Sequence, residues 1–282
     1  MVHAAPGGPF DSERRLPPAI EENIKEAYHL DESLPKQFYR YMRGVVRGDL
    51  GPSYRYRDFT VSELIGDAIP VTMRIGLLAI LLALIVGISA GVAAALRKNT
   101  LLDRLVTGIA MIGISVPVFV LAPLMVLIFA VTLKWLPASF AGSSGADRLF
   151  LPVVALALPQ VAYIARLTRA SLIDVMNSDY VRTARAQGLK TSSIVRYHAL
   201  KPAMLPLVSY LGPTFAAVLT GSVVIEQVFG IPGVGRFLVT AATNRDFTLV
   251  LGITIFYSAM IISLNLVVDL LYAFLDPRIR KR

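Results

Sequence analysis

The chain has 282 residues, 55% of them hydrophobic and 17% charged, with a formal net charge of +9 and no cysteine; its mean hydropathy is +0.62. A soluble domain carries about a quarter charged residues, so an ordinary soluble fold is excluded, and the lack of cysteine excludes disulfides, Cys-ligated zinc and iron–sulfur clusters. His3, His29 and His198 are scattered without the spacing of a ligand set, so no metal and no cofactor is expected.

Residues 1–67 form the first segment. They hold nine Lys/Arg against eleven Asp/Glu. Residues 13–46 read as helical: Pro17-Pro18 suits a first turn, Ala19–His29 follows, and a second amphipathic run extends from Leu34 to Val46. Gly44, Gly48 and Gly51-Pro52 break the pattern, and large apolar residues are too few for a core of its own. The expectation is a small helical cap on the outer mouth of a membrane domain rather than a separate ligand-binding domain.

Residues 68–282 then carry five stretches without Asp, Glu, Lys or Arg: Ile75–Leu96, Leu105–Leu133, Leu149–Ala165, Pro202–Ile225 and Phe247–Val268. A bilayer core needs about 20 such residues. Spans are therefore expected at about 73–96, 105–133, 149–168, 203–225 and 247–272. The fold class is all-α, a polytopic membrane protein. Gly87 and Gly91 form a GxxxG, and Pro117, Pro123 and Pro159 are expected to interrupt spans; such features permit close packing and hinge motion. Glu226 and Asp269 sit at or within span ends, where an unpaired charge is costly. Glu226 precedes the turn Gly230-Ile231-Pro232-Gly233 and is read as hydrogen-bonding that turn. Asp269 is read as pairing with a neighbouring basic group.

Between the third and fourth spans lies the segment from Arg166 to Lys201, with Arg166, Arg169, Arg182, Arg185, Lys190, Arg196 and Lys201 against Asp174 and Asp179. The flanking loops are balanced, and the C-terminus ends on Arg278, Arg280, Lys281 and Arg282. By the positive-inside rule residues 1–67 lie outside, and the basic loop and the C-terminus lie in the cytoplasm. A polar N-terminal segment on the outer side calls for a spanning helix ahead of it, and one is expected to be missing from this sequence.

Within the basic segment, residues 174–202 predict a helix–turn–helix. Val181 and Ala184 give an apolar side, and Gly188 stands where a C-cap needs a left-handed residue. Thr191, Ser192 and Ser193 offer N-caps for a second helix that ends before Pro202. An element with one apolar and one basic side can insert into a groove on a soluble partner, or rest on anionic membrane lipid. Binding to nucleic acid is not expected, because the element is tethered between spans and lacks the supporting helix of such motifs.

The pattern Tyr180, Arg182-Thr183-Ala184, Gly188, then His198-Ala199-Leu200 and Pro202 resembles the "EAA" loop of permease subunits of ABC importers, with Arg182 and Thr183 in place of its Glu and first Ala. Tyr41–Ser53 (YMRGVVRGDLGPS), Gly113–Phe119 (GISVPVF), Glu226–Arg236 (EQVFGIPGVGR), Asn244-Arg245-Asp246 and Leu271–Arg278 (LYAFLDPR) are similar to the first of the two permeases of dipeptide, oligopeptide and nickel importers. The resemblance covers essentially the whole chain. It implies an ABC importer type I transmembrane domain of six spans, the N-terminal one being absent here. It also implies a second homologous permease, two ATP-binding cassette ATPase subunits docked on the coupling loops, and an extracytoplasmic substrate-binding protein. Peptides are the first-choice cargo and nickel chelates the second.

No Walker A sequence occurs, and no nucleophile–base–orienter set can be assembled. The chain is therefore expected to be no enzyme, with ATP hydrolysis left to its partners. A secondary transporter would show inverted repeats and buried ionisable residues on broken helices, and a membrane-embedded enzyme would show catalytic polar residues inside the spans; neither pattern is found.

Overall fold

The computed structural model describes residues 32–56, 58–142 and 145–275. The expected helical stretch at Pro17-Pro18 and Ala19–His29, and the last residues of the Leu271–Arg278 ending, lie outside them. The described chain is helical: α1 (Leu34–Val46), α2 (Val61–Leu96), α3 (Leu101–Ser115), α4 (Val118–Met125), α5 (Phe150–Met176), α6 (Asp179–Ala186), α7 (Thr191–Ile194), α8 (Leu200–Ala203), α9 (Leu205–Phe229), α10 (Val234–Thr243) and α11 (Phe247–Leu275). Among the described residues no strand occurs, only one antiparallel bridge between Pro52 and Thr60. In hydrocarbon every backbone N–H and C=O must find a partner within the chain, which a helix supplies by itself.

Among the described residues four helices are long and apolar enough to cross a bilayer: Val61–Leu96, Asp147–Met176, Leu205–Phe229 and Phe247–Leu270. The second expected span is not one straight helix. It is bent by 104° between α3 and the stretch Val118–Thr132. The cause is local. Proline disfavours the helical conformation of the residue before it, and Val116 accordingly has ψ 117°, while Pro117 caps α4 with ψ 143° and its carbonyl accepts from Val120 and Leu121 N–H. The breaks expected at Pro123 and Pro159 do not occur: both sit inside continuous helices, α4 and α5. A proline costs a spanning helix one hydrogen bond, and neighbouring groups absorb that loss. Past α4 the chain widens into a π-helical stretch, Val126–Thr132, where Thr132 Oγ1 donates to Leu127 O, five residues back.

The chain forms two compact units, one comprising Thr72–Ile231 and resuming at Ala259, the other ending at Val71 and taking in Pro232–Ser258. In the larger unit α5 is the central helix. Leu151, Ala155, Leu156, Ile164, Ala165 and Leu172 are all buried, and α5 packs against α3, α4, α8 and α9. Helix α2 reaches it through the two glycines. A Cβ at Gly87 would lie 2.8 Å from Ile164 Cγ2, and one at Gly91 would lie 2.5 Å from the Ala165 carbonyl oxygen and 2.7 Å from Thr168 Cβ. The GxxxG thus brings the α2 backbone onto α5.

The smaller unit shows that the N-terminal segment shares a core with a stretch near the C-terminus. Val61, Leu64, Ile65 and Ala68 of α2 are buried with Val234 and Ala241 of α10 and Leu249 and Ile253 of α11. Tyr56 packs edge-on against Phe237, ring centroids 5.9 Å apart. Asp246 ties the stretch Ser53–Arg55 to the start of α11. Its carboxylate, 1% exposed, accepts from Ser53 Oγ, from Tyr54 and Arg55 N–H, from Thr248 Oγ1, and from Leu249 N–H at 3.1 Å. The last bond makes Asp246 the N-cap of α11, a position where a side-chain acceptor satisfies an otherwise orphaned donor.

Two outcomes follow. Replacing Gly91 with Val should destabilise the folded protein by about 1–3 kcal/mol, the usual range for forcing atoms into a packed contact. Gly108→Ala, at an open helical position, should not; thermal melts of the purified protein in detergent compare them. Asp246→Ala should cost about 2 kcal/mol, the upper range for a lost cap, and should speed amide exchange at Tyr54, Arg55 and Leu249.

Candidate functional site

The basic segment folds as a closed hairpin between two spanning helices. Helix α5 ends at Met176, and Ser178 starts α6 with extended backbone, its hydroxyl donating to Val175 O. Asp179 in the first turn and Arg185 in the last match the helix dipole. The exposed Arg182–Asp179 pair, 3.3 Å, adds little, since such pairs contribute about 0–1 kcal/mol.

Gly188 terminates α6. It has φ +81°, Leu189 N–H donates to Ala184 O, and Gly188 N–H donates to Arg185 O. These two bonds constitute a Schellman motif, with glycine in its left-handed position. A Cβ on Gly188 would meet nothing within 4 Å, so the demand for glycine comes from the backbone angle and not from space.

Two details differ from the sequence reading. The residue at the start of α7 is Lys190, with extended backbone, and no side chain caps the helix; Thr191, Ser192 and Ser193 are helical or follow the start. The second helix also does not stop before Pro202. It passes through a π-helical turn, Val195–Ala199, into α8, which contains Pro202. A π-turn lets the ladder shift by one residue, which accommodates a proline that cannot donate to His198 O.

The apolar side of this element is turned inward. Val181, Ala184 and Ile194 bury one another, with Met176 packed alongside. Beneath them Leu172 of α5 is buried with Ala199 and Ala203, flanked by Val92 and Ala95 of α2. The outer side presents Tyr180, Arg182, Thr183 and Arg185 from α6, Gly188 at the turn, and Arg196, Tyr197 and His198 beyond it, all exposed. Leu200 and Pro202 are half-buried. The outer surface is thus polar and basic, with two large aromatics, Tyr180 at 47% and Tyr197 at 68% exposed, the latter overlain by Arg196 at 5.4 Å.

The remaining candidates lie apart from the hairpin. Pro117 marks the bend already described. Glu226, in the last turn of α9, is fully buried and accepts from Thr72 Oγ1 of α2 at 2.8 Å. The turn beyond it bonds to the Glu226 main chain: Ile231 N–H donates to Glu226 O at 2.8 Å, and Gly230, φ +64°, caps the helix. Pro232 is exposed, and Gly233 is the buried N-cap residue of α10. Asp269 is exposed on α11 and makes no ion pair with the described residues.

One pair escaped the sequence reading. In the sequence Asp103 is one acidic residue in a short loop with Arg97, Lys98 and Arg104. In the structure it is 3% exposed, and Arg169 grips it with Nε and Nη2, at 2.5 and 2.8 Å. Asn99 N–H also donates to it at 2.9 Å. The fork geometry joins α3 to α5 two turns before the hairpin. Asp103 and Arg169 are 66 residues apart, so no local spacing could have paired them. Asp246 was legible in principle, as an Asp immediately before an apolar run.

Residues 70–281 match the family described as binding-protein-dependent transport system inner membrane component. Over 280 residues the chain is 48% identical to the oligopeptide transport system permease protein OppB of Salmonella typhimurium, covering 99% of this chain and 92% of that one. It is 41% identical to the dipeptide transport system permease protein DppB of Bacillus subtilis, covering 99% and 90%. Among solved structures it resembles the MetNI methionine ABC transporter in an inward-facing conformation, with a TM-score of 0.64 at 18% identity over 76% of this chain and 96% of that one. That likeness bears on the fold alone, an ABC importer transmembrane domain. With the family matched across the membrane helices and relatives matched end to end, the chain belongs to the inner-membrane permease components of binding-protein-dependent transport systems.

Proposed function

We propose that this chain is one of two transmembrane subunits of an ATP-driven importer of short peptides. The observation that carries the reading is identity of 48% and 41% to oligopeptide and dipeptide permeases over nearly the full length, which favours peptides over nickel chelates. A second, homologous permease completes the pathway. Two ATPase subunits supply the energy, and an extracytoplasmic binding protein delivers the cargo. The loop charges support an orientation with residues 1–67 outside, and with the hairpin and the C-terminus in the cytoplasm.

The hairpin 174–202 is the element on which an ATPase docks. Its exposed residues Tyr180, Arg182, Thr183, Gly188 and His198 meet the partner, while Ala184, Leu200 and Pro202 hold the hairpin's shape. Closure of the ATPases on ATP moves the hairpins and switches the pathway between inward and outward access. Pro117, Glu226, Gly230, Pro232, Gly233 and Asp269 act at helix breaks and ends as structural or gating positions.

The test is uptake of a labelled tripeptide into proteoliposomes holding the complex purified from its host. Uptake should require ATP inside and binding protein outside, and should ignore a proton uncoupler. ATP-independent uptake abolished by the uncoupler would overturn the importer reading in favour of a secondary transporter. Gly188→Val should lower the rate tenfold or more with insertion and assembly intact, because a β-branched residue at positive φ disrupts the turn at a cost of about 1–2 kcal/mol. Gly188→Asn, which tolerates that conformation, should retain most activity. Equal activity of the two variants would sink the docking assignment.

A further inference from the structure

Arg166 stands on α5 ten residues before Met176, about 15 Å along the helix from its end. A cation within a spanning helix is costly unless it finds an anion, a carbonyl or water. Arg169, one turn on, is neutralised by Asp103. Arg166 is exposed, and among the described residues it makes neither an ion pair nor a hydrogen bond. Its contact is with an aromatic ring: Cζ lies 5.5 Å from the centroid of Tyr163. That ring stacks on Tyr210 of α9, centroids 4.0 Å apart and planes 18° from parallel, and the Tyr210 hydroxyl donates to Gln160 Oε1 at 3.3 Å.

Two helices therefore present a guanidinium, a double aromatic wall and an amide on one face. That face differs from those suited to lipid. Leu81 and Ile85 of α2, and Ile262 and Leu266 of α11, are large, apolar and more than half exposed. On α9 no large apolar side chain is exposed; beside Tyr210 the exposed positions are Ser209 and Pro213. A guanidinium beside stacked rings suits a planar anion with a peptide plane behind it: the fork of N–H donors takes a carboxylate bidentately, and the rings and amide meet the adjoining peptide group.

The geometry points to Arg166, Tyr163, Tyr210 and Gln160 as a site on the translocation pathway that receives the free carboxylate of the passing peptide. It rests on the reading of this chain as a peptide permease. Arg166 supplies the charge, Tyr163 and Tyr210 the wall, and Gln160 holds the Tyr210 hydroxyl. Because the rings lie on two different helices, the site keeps its shape only while α5 and α9 stay in register.

The chain has no cysteine, so a single introduced thiol reports on this position. Arg166→Cys is placed in the otherwise native complex, and tripeptide uptake is compared with that of the unsubstituted complex given the same reagents. Uptake should fall about tenfold, the loss expected from one charge-assisted hydrogen bond. Aminoethyl methanethiosulfonate, which restores a positive charge, should recover at least half of it, and the anionic sulfonatoethyl reagent none. Saturating tripeptide should slow modification at position 166 but not at a Leu81→Cys control. Arg166→Lys, which keeps charge and length, should retain about half the native rate and guards against a folding defect in the cysteine variant. Full uptake by Arg166→Cys, equal recovery with both reagents, or a thiol that peptide does not protect would overturn the proposal, the last assigning Arg166 to a lipid phosphate or a neighbouring subunit. A native complex that takes up no tripeptide would overturn the cargo reading and this site with it. Native uptake with an indifferent Arg166→Cys would overturn the site alone.

Discussion

The larger unit depends on one close approach, the α2 backbone lying against α5 at Gly87 and Gly91. Lipid tails are as apolar as leucine, so spanning helices gain little from burying apolar area and depend on dispersion at short range. Two absent side chains provide that range here. The Ala165 carbonyl and the Thr168 methine occupy the space where a Cβ on Gly91 would sit. Everything attached to α5, from the Asp103–Arg169 clamp to the hairpin at its end, inherits a position from that contact.

Buried carboxylates are few among the described residues, and each has hydrogen-bond partners. Asp103 has Arg169 and the Asn99 amide, and Glu226 has Thr72. Asp246 is a buried carboxylate that pairs with no cation among the described residues and is surrounded by hydroxyl and amide donors, whose dipoles favour the anion. Burying a carboxylate without such donors would be prohibitive.

Much of this was written in the sequence. Charge-free runs marked the spans, because a bilayer punishes charges strongly enough to leave a record in composition. Gly188 was legible as a left-handed cap because few residues tolerate that angle. The reading failed where chemistry was outweighed by context. Pro123 and Pro159 look like helix breakers, yet a helix in hydrocarbon has nowhere else to place its backbone groups, so it continues through them. Pro117 does break its helix, and residue type alone does not separate the three. Thr191 and its neighbours look like caps, yet the Schellman turn had already set the path and left Lys190 at the helix start. The tertiary partners of Asp103, Glu226 and Tyr163 lie on distant segments and could not be read from local spacing.

The hairpin's inward-facing apolar side also has a mechanical meaning. Val181, Ala184 and Ile194 lock α6 to α7, and the next layer, Leu172, Ala199 and Ala203 with Val92 and Ala95, locks the hairpin root to α5 and α2. Close-packed apolar layers have low compressibility. A load applied to the exposed basic surface is therefore not dissipated within the hairpin; it arrives at two spanning helices together, and the hairpin behaves as a stiff handle fixed to both.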